Sequence, residues 1–253
     1  MPIQYLRSFT SVERTEKANL RLGRALACIA GAANAGGFLA VGQYTSHMSG
    51  IVSSVADNLA LGDIGLALAA ISAMFAFAGG AATSAVLINW GRRRAVRSVF
   101  ALPMVLEAAL LMGFALLGAN MEHHRVMFVP ATVALLCYVM GLQNAMITKI
   151  SRAEIRTTHM TGIVTDLGIE LGKGLYWNWG VPASAAQHVR ADMPRVRVLS
   201  SLLGMFLLGG LGGALAFRHL GFSSAALLAA ALLTLACVPV ADDLRRWSPR
   251  DPA

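Results

Sequence analysis

Two polar segments with the same unusual residues interrupt an otherwise apolar chain, and their side chains are the first candidates for chemistry. Residues 45–62 read TSHMSGIVSSVADNLALG and residues 157–174 read TTHMTGIVTDLGIELGKG. At an offset of 112 positions, eight of the 18 pairs are identical, and three more exchange Ser for Thr. Agreement across a His-Met-x-Gly core indicates an internal duplication rather than two unrelated loops.

The types of residue in these segments suit the binding of a small polar or anionic solute at the start of a short helix. Thr45 or Ser46, and Thr157 or Thr158, are expected to cap the free N–H groups there. The helix that follows would present its positive end to a ligand. The two histidines add a hydrogen-bond donor or a proton-linked switch.

A second repeated motif, which precedes each polar segment, adds residues to the predicted site. Gly31-Ala-Ala-Asn34-Ala35 resembles Gly141-Leu-Gln-Asn144-Ala145 at an offset of 110 positions. The predicted solute-binding residues are therefore five from each half: Asn34, Thr45, His47, Met48 and Gly50, with Asn144, Thr157, His159, Met160 and Gly162.

Four carboxylates are candidates for ion or proton coupling: Glu107, Asp57, Asp166 and Glu170. Glu107 has apolar residues on both sides, so its carboxyl must be protonated, paired or water-lined. We expect Asn34, Asn144 or a motif histidine as its partner. Asp166 and Glu170 share one helical face, and the alternative for them is simple solvation near the membrane surface, beside Lys173.

Composition and hydropathy place these residues in a membrane. The chain is 56% apolar and only 13% charged, whereas a soluble domain carries about 25% charged residues. Apolar stretches long enough to cross about 30 Å of hydrocarbon occupy residues 25–42, 64–90, 99–118, 126–147, 198–217 and 222–240. The basic residues flank these stretches, without the interleaved basic and aromatic residues typical of nucleic-acid binding. Cys28, Cys137 and Cys237 lie inside apolar stretches without metal-ligand spacing, and no metal or cofactor is predicted.

The distribution of positive charge orients the stretches. If both polar segments dip into the membrane and return, 19 of the 21 Lys and Arg residues face one side, which is then the cytoplasm. Arg125 and Arg218 alone face the other side. If both segments crossed instead, residues 92–97 and 149–156 would lie outside.

We therefore predict an all-α integral membrane protein with about six transmembrane helices, two re-entrant helices, and both termini in the cytoplasm. Its parts are an N-terminal tail (1–20), a first repeat (21–120), a second, inverted repeat (121–241) and a C-terminal tail (242–253). Three crossings per repeat insert the second copy upside down, as in many transporters.

Function follows from this architecture as a hypothesis. A transporter or channel for a small solute is favoured over an enzyme, because no catalytic motif is present. The alternatives are a membrane-embedded enzyme without a recognised motif and a permease for copper, a soft metal that His and Met can bind. Two stripes of small residues are expected to pack on each other or to form a homodimer face: Ala76, Gly79, Gly80 and Thr83, and Gly209 with Gly213.

The sequence resembles the YoaK family of bacterial membrane proteins. The matching elements are Gly31-x-x-Asn34-Ala35-x-Gly37-Phe38, the Thr45-Ser46-His47-Met48-Ser49-Gly50 motif and Glu107. One departure is Ile51, where the family commonly has Asn after this motif. The resemblance implies a multi-spanning protein of the bacterial inner membrane and brings no established activity.

The topology can be tested by labelling single cysteines in a background that lacks the three native ones. Cysteines at Arg94 and Arg152 are expected to lie in the cytoplasm, and a cysteine at Arg125 in the periplasm. A membrane-impermeant maleimide added outside should therefore label only position 125. Labelling of position 94 from outside would contradict the inverted arrangement, because the first polar segment would then have to cross.

Overall fold

All regular structure in the described part of the chain is helical. The computed structural model describes residues 15–94, 96, 98–118, 125–151, 157–180, 182, 185 and 187–247. Eight α-helices lie in these ranges: α1 (Glu16–Val41), α2 (Met48–Leu61), α3 (Ile64–Arg93), α4 (Ala101–Gly118), α5 (Arg125–Ile150), α6 (Met160–Leu175), α7 (Met193–Leu220) and α8 (Ser224–Trp247). A 3₁₀ turn, Gly221–Ser223, joins the last two.

Four helical stretches of the described residues are long and apolar enough to cross a membrane: Glu16–Val41, Ile64–Arg93, Val129–Ile150 and Met193–Cys237. The last covers 45 residues, about twice the length one crossing needs. Ala101–Leu116 is apolar but shorter. The predicted all-helical membrane protein is confirmed at this level, whereas the number of crossings is not fixed by length and composition.

Helix boundaries differ from the predicted tails at both ends. The first helix begins at Glu16, inside the predicted 1–20 tail, because the Thr15 hydroxyl accepts a hydrogen bond from the Ala18 N–H at 3.2 Å and so caps the first turn. The last helix continues to Trp247, into the predicted 242–253 tail.

The most extensive helix contacts join the two halves of the chain. Helix α1 packs along α7, and α3 packs along α5. Each contact depends on glycines, because a Cβ atom at Gly80 would collide with the Tyr138 carbonyl and one at Gly209 with the Cys28 carbonyl. Backbones approach this closely only where side chains are absent.

The two close contacts involve residues at equivalent positions in the two halves. Cys28 and Tyr138 are 110 residues apart, as are Gly31 and Gly141. A Cβ at Gly31 would meet the Phe206 carbonyl, and one at Gly141 would meet the Phe77 carbonyl. The offset found in the sequence therefore recurs in the packing.

This pairing corrects the prediction for the small-residue stripes. The stripe around Gly80 and the stripe of Gly209 and Gly213 do not pack on each other. The first contacts Tyr138 of α5 and the second contacts Cys28 and Ala32 of α1. The facing helices meet these glycines mainly with backbone atoms, of Tyr138 in α5 and of Cys28 and Ala32 in α1, so the helices approach backbone to backbone.

Helices α1 and α5, the first helix of each half, run in opposite directions. The Asn19 side-chain amide donates to the Ile150 carbonyl at 3.5 Å, and the Gln143 amide donates to the Leu26 carbonyl at 3.3 Å. The contact partner thus moves backward along α5 as the chain advances along α1. These two helices, the first of each half, are therefore antiparallel.

The glycine contacts predict a matched pair of stability changes. Gly80→Ala and Gly209→Ala should each lower the free energy of unfolding by about 1–3 kcal/mol, because the helices must separate to admit a methyl group. Gly113→Ala is the control, since nothing lies within 4 Å of its added Cβ; its effect should stay within about 1 kcal/mol. Thermal unfolding in detergent measures all three, and equal stability of all variants would contradict the close contact.

Candidate functional site

Both short helices begin in the same way. His47 and His159 occupy the residue before α2 and α6, and neither helix has a side-chain hydrogen bond at its cap. The prediction that Thr45, Ser46, Thr157 or Thr158 caps these helices is therefore wrong. The N-cap positions, His47 and His159, fall one or two residues after those hydroxyls.

The hydroxyls instead hold the turn that precedes each short helix, which we call the entry turn. Ser46 Oγ donates to Asn34 Oδ1 at 3.0 Å, and Thr158 Oγ1 donates to Asn144 Oδ1 at 2.7 Å. The two asparagines thus fasten equivalent turns to equivalent helices. Beside each turn lies a buried threonine, Thr45 or Thr157, whose hydroxyl has no hydrogen-bond partner among the described residues.

In the His-Met-x-Gly core, the methionine packs into the apolar interior and the histidine ring packs against the glycine. The ring of His47 lies 3.0 Å from the position of a Cβ at Gly50, and the ring of His159 lies even nearer to one at Gly162. In both, Nδ1 and Cε1 face the glycine, so the Nε2 side of the ring is turned away from the helix. Met48 and Met160 pack against apolar clusters. The histidines, both exposed, are therefore the motif members available to a ligand.

A cavity of about 890 Å³ opens beside the second motif. His159 and Gly162 line it together with the first turns of α1 and α7. Its apolar wall includes Leu199 and Leu202. Its charged residues are Glu16, Lys17, Asp166, Asp192 and Arg195.

The two motifs do not meet in this cavity. His47 is not one of its lining residues. Gln143, next to Asn144, bonds the Leu26 carbonyl, and Asn34 lies eight residues further along α1, roughly 12 Å at 1.5 Å per residue. The structure therefore separates the ten predicted solute-binding residues into two equivalent groups.

The carboxylates of α6 are engaged with positive partners. Arg195 Nη2 lies 3.0 Å from Asp166 Oδ2. Glu170 bonds Lys173 Nζ at 2.8 Å and the Asp192 N–H at 2.8 Å. Helix α6 is not one of the stretches long enough to cross a membrane. The hydrogen bond from Lys173, and after it the hydrogen bond from the Asp192 N–H, lowers the pKa of the Glu170 carboxyl. Asp57, by contrast, is exposed on α2.

Glu107 lies apart from these groups. Its side chain is fully buried, and neither carboxyl oxygen has a hydrogen-bond partner among the described residues. The expected pairing with Asn34, Asn144 or a motif histidine is therefore wrong. Both asparagine oxygens already accept hydrogen bonds from the entry turns.

The charged residues on the cavity walls outside α6 were not predicted from the sequence. Asp192 caps α7 by accepting from the Arg195 N–H at 3.1 Å, and Pro194 follows in the first turn. An Asp followed shortly by Pro is typical of the start of a helix, so the sequence alone could have predicted that a helix begins here. That it faces α1 depends on packing between helices distant in sequence.

The fold and this site define an all-helical membrane protein with two equivalent polar helix entries. The family model described as "Protein of unknown function (DUF1275)" matches residues 22–238, and the chain belongs to this family. The resemblance to the YoaK proteins is thereby confirmed. Comparisons with curated proteins and with solved structures found no match.

The contact between His159 and Gly162 predicts a specific displacement. Gly162→Ala should push the imidazole away, because the new methyl group would overlap Nδ1. Stability should change by no more than about 1 kcal/mol, since the ring can rotate and Ala favours a helix. The imidazole ¹⁵N resonances of His159 should shift, whereas Gly168→Ala, with nothing within 4 Å of its added Cβ, should leave them unchanged. Unshifted resonances in Gly162→Ala would contradict the contact.

Proposed function

We propose that this chain is a transporter or channel that moves a small polar or anionic solute across the bacterial inner membrane. The observation that carries the proposal is the repeated helix entry. Each half places a histidine at the start of a short helix, with Nε2 turned outward, and fastens the preceding turn to an asparagine. Interrupted helices whose positive ends face a polar site are typical of solute transporters.

In this proposal α1, α3, α4, α5, α7 and α8 cross the membrane, and α2 and α6 are re-entrant. The antiparallel α1 and α5 support it. An odd number of crossings per half turns the second copy over, so its first helix must run opposite to that of the first copy. Four crossings per half would instead make the two helices parallel.

The lining of the cavity favours transport over catalysis or metal passage. His159 contributes one imidazole to a cavity with charged and apolar walls. The described residues contain no group of three or more His, Cys, Asp and Glu side chains that could hold a metal ion. A solute that needs a few hydrogen bonds and a water-filled path suits this site better than copper does. The proposed binding group is His159, with His47 as its counterpart, and Asn144 and Asn34 hold the turns that precede them.

Purified protein in liposomes tests the proposal. The probes are acetate, nitrate, glycine and glycerol, each with and without a pH gradient. At least one should enter faster than into empty liposomes. His159→Phe keeps a ring on Gly162 but removes both nitrogens, and it should slow that flux by about tenfold, as expected for one lost hydrogen bond to a charged group.

His219→Phe is the matched control, because this exposed residue lies in the last turn of α7, away from the cavity. Its flux should equal that of the unchanged protein. A double-mutant cycle of His47→Phe with His159→Phe then separates one shared site from two. No accelerated flux of any probe, or equal flux in His159→Phe, would overturn the proposed role of this site.

A further inference from the structure

The second half of the duplicated chain contains a segment that the first half lacks. The two halves are offset by 112 positions as far as Gly174, which corresponds to Gly62. From Asp192 onward, which corresponds to Asp63, the offset is 129, and the same offset relates the two close glycine contacts. Both aspartates are the N-cap residues of their helices, α3 and α7. The 17 residues 175–191 therefore have no counterpart, and we call them the insertion.

The chain leaves the duplicated fold at the insertion and returns to the same place. In the first half, the Asp63 N–H donates to the Asn58 carbonyl at 2.8 Å. In the second half, the Asp192 N–H donates at 2.8 Å to the carboxylate of Glu170, the residue that corresponds to Asn58. A buried side chain thus makes the bond that a backbone carbonyl makes where there is no insertion. Since the junction is the same in both halves, the insertion is not needed to build it.

Hydrogen bonds give the insertion a defined shape. The Asn178 amide donates to the Val189 carbonyl at 3.0 Å, and the Asn178 side-chain oxygen accepts from the Val189 N–H at 3.0 Å. At the base of the insertion, the Ala191 side chain lies beside Gly174. Residues 176–179 are therefore held close to the start of α7.

The aromatic residues of the insertion lie on its surface. Trp179 is 87% exposed and Trp177 is 69% exposed. The rings of Tyr176 and Trp177 are stacked, with their centroids 5.5 Å apart and their planes at 13°. Apolar surface of this size is unfavourable in water, whereas Trp and Tyr are enriched where a bilayer meets water, because their rings are apolar at one end and polar at the other.

The course of α7 places these rings at the level of the membrane surface. Arg195 and Arg197 are the last charged residues before the apolar run 198–217, and basic residues at the end of such a run lie at the membrane surface. Asp192 is five residues before Arg197, roughly 8 Å along a helix. Because Asp192 bonds Glu170, α6 ends near the same surface whether it crosses the membrane or re-enters.

We propose that the insertion is a membrane anchor whose Trp177 and Trp179 side chains lie in the phospholipid headgroup layer. Glu170 and Asn178 hold the anchor in shape at its two ends. The exposed Arg197 lies beside it, where its guanidinium can meet lipid phosphates. The anchor goes beyond the proposed function, because it depends on the bilayer and not on any solute.

Tryptophan fluorescence in liposomes tests the anchor without a change to the insertion. Trp90→Phe with Trp247→Phe leaves Trp177 and Trp179 as the only tryptophans. Phosphatidylcholine that carries bromine near the headgroup end of its acyl chains should quench their emission more strongly than lipid that carries bromine near the chain ends. Iodide, present on both sides of the membrane, should quench them less than it quenches free N-acetyltryptophanamide.

Iodide quenching equal to that of the free compound would place the rings in water, as expected for a surface that binds a soluble partner, and would overturn the anchor. Bromine near the headgroup that quenches no better than bromine near the chain ends would also overturn it.

A further substitution in this background tests how the anchor is held. Glu170→Ala removes the acceptor of the Asp192 N–H, so the tryptophan emission should shift to longer wavelength and iodide should quench it more. Thr165→Ala, an exposed position on the same helix, is the control and should change neither. If circular dichroism shows that Glu170→Ala does not fold, Asn178→Ala makes the same test at the bonds to Val189. Unchanged emission in the folded variant would overturn the role of these bonds in holding the anchor.

Discussion

Close backbone contact between α1 and α7, and between α3 and α5, is the constraint on which the rest of this structure depends. A lipid environment provides no hydrophobic force between apolar helices, so their association relies on close packing and on hydrogen bonds. Gly80 and Gly209 supply the packing, each against a carbonyl of the opposite half. A hydrogen bond from Tyr138 Oη to Thr83 Oγ1 at 2.6 Å adds to one of these contacts.

The polar helix entries are built on this scaffold. Asn34 belongs to α1 and Asn144 to α5, and each of these helices is fixed by a glycine contact with the other half. A turn that donates a hydrogen bond to such an asparagine is held in place by the packed helices. Helices α2 and α6 themselves have few buried residues. The histidines therefore sit at defined points on short helices that remain largely exposed. Under the proposed function, this combination of a fixed entry and a loosely packed helix suits a part that changes position as the solute passes.

Sequence reasoning found the helices, the duplication and the family, because apolar length and repeated rare residues are local signals. It failed where the outcome depended on contacts between distant segments. The hydroxyls of Ser46 and Thr158 were expected to cap helices, yet a nearby asparagine on another helix competes for them. Glu107 was expected to find a polar partner, and the asparagines proposed for it were already engaged. The two glycine stripes were paired with each other because composition alone does not say which surface fills a groove.

The exchange of partners between halves also has a consequence for how the chain is made. Helices α1 and α3 find their main contacts on α7 and α5, which the ribosome synthesises later. Until α5 and α7 are inserted, the glycine surfaces of the N-terminal half are therefore covered only by lipid. Under the proposed inverted topology, a single copy of the repeat would meet the same need only by pairing with a second chain inserted in the opposite orientation. Two copies in one chain make that encounter a step within one molecule and fix the ratio of the two orientations.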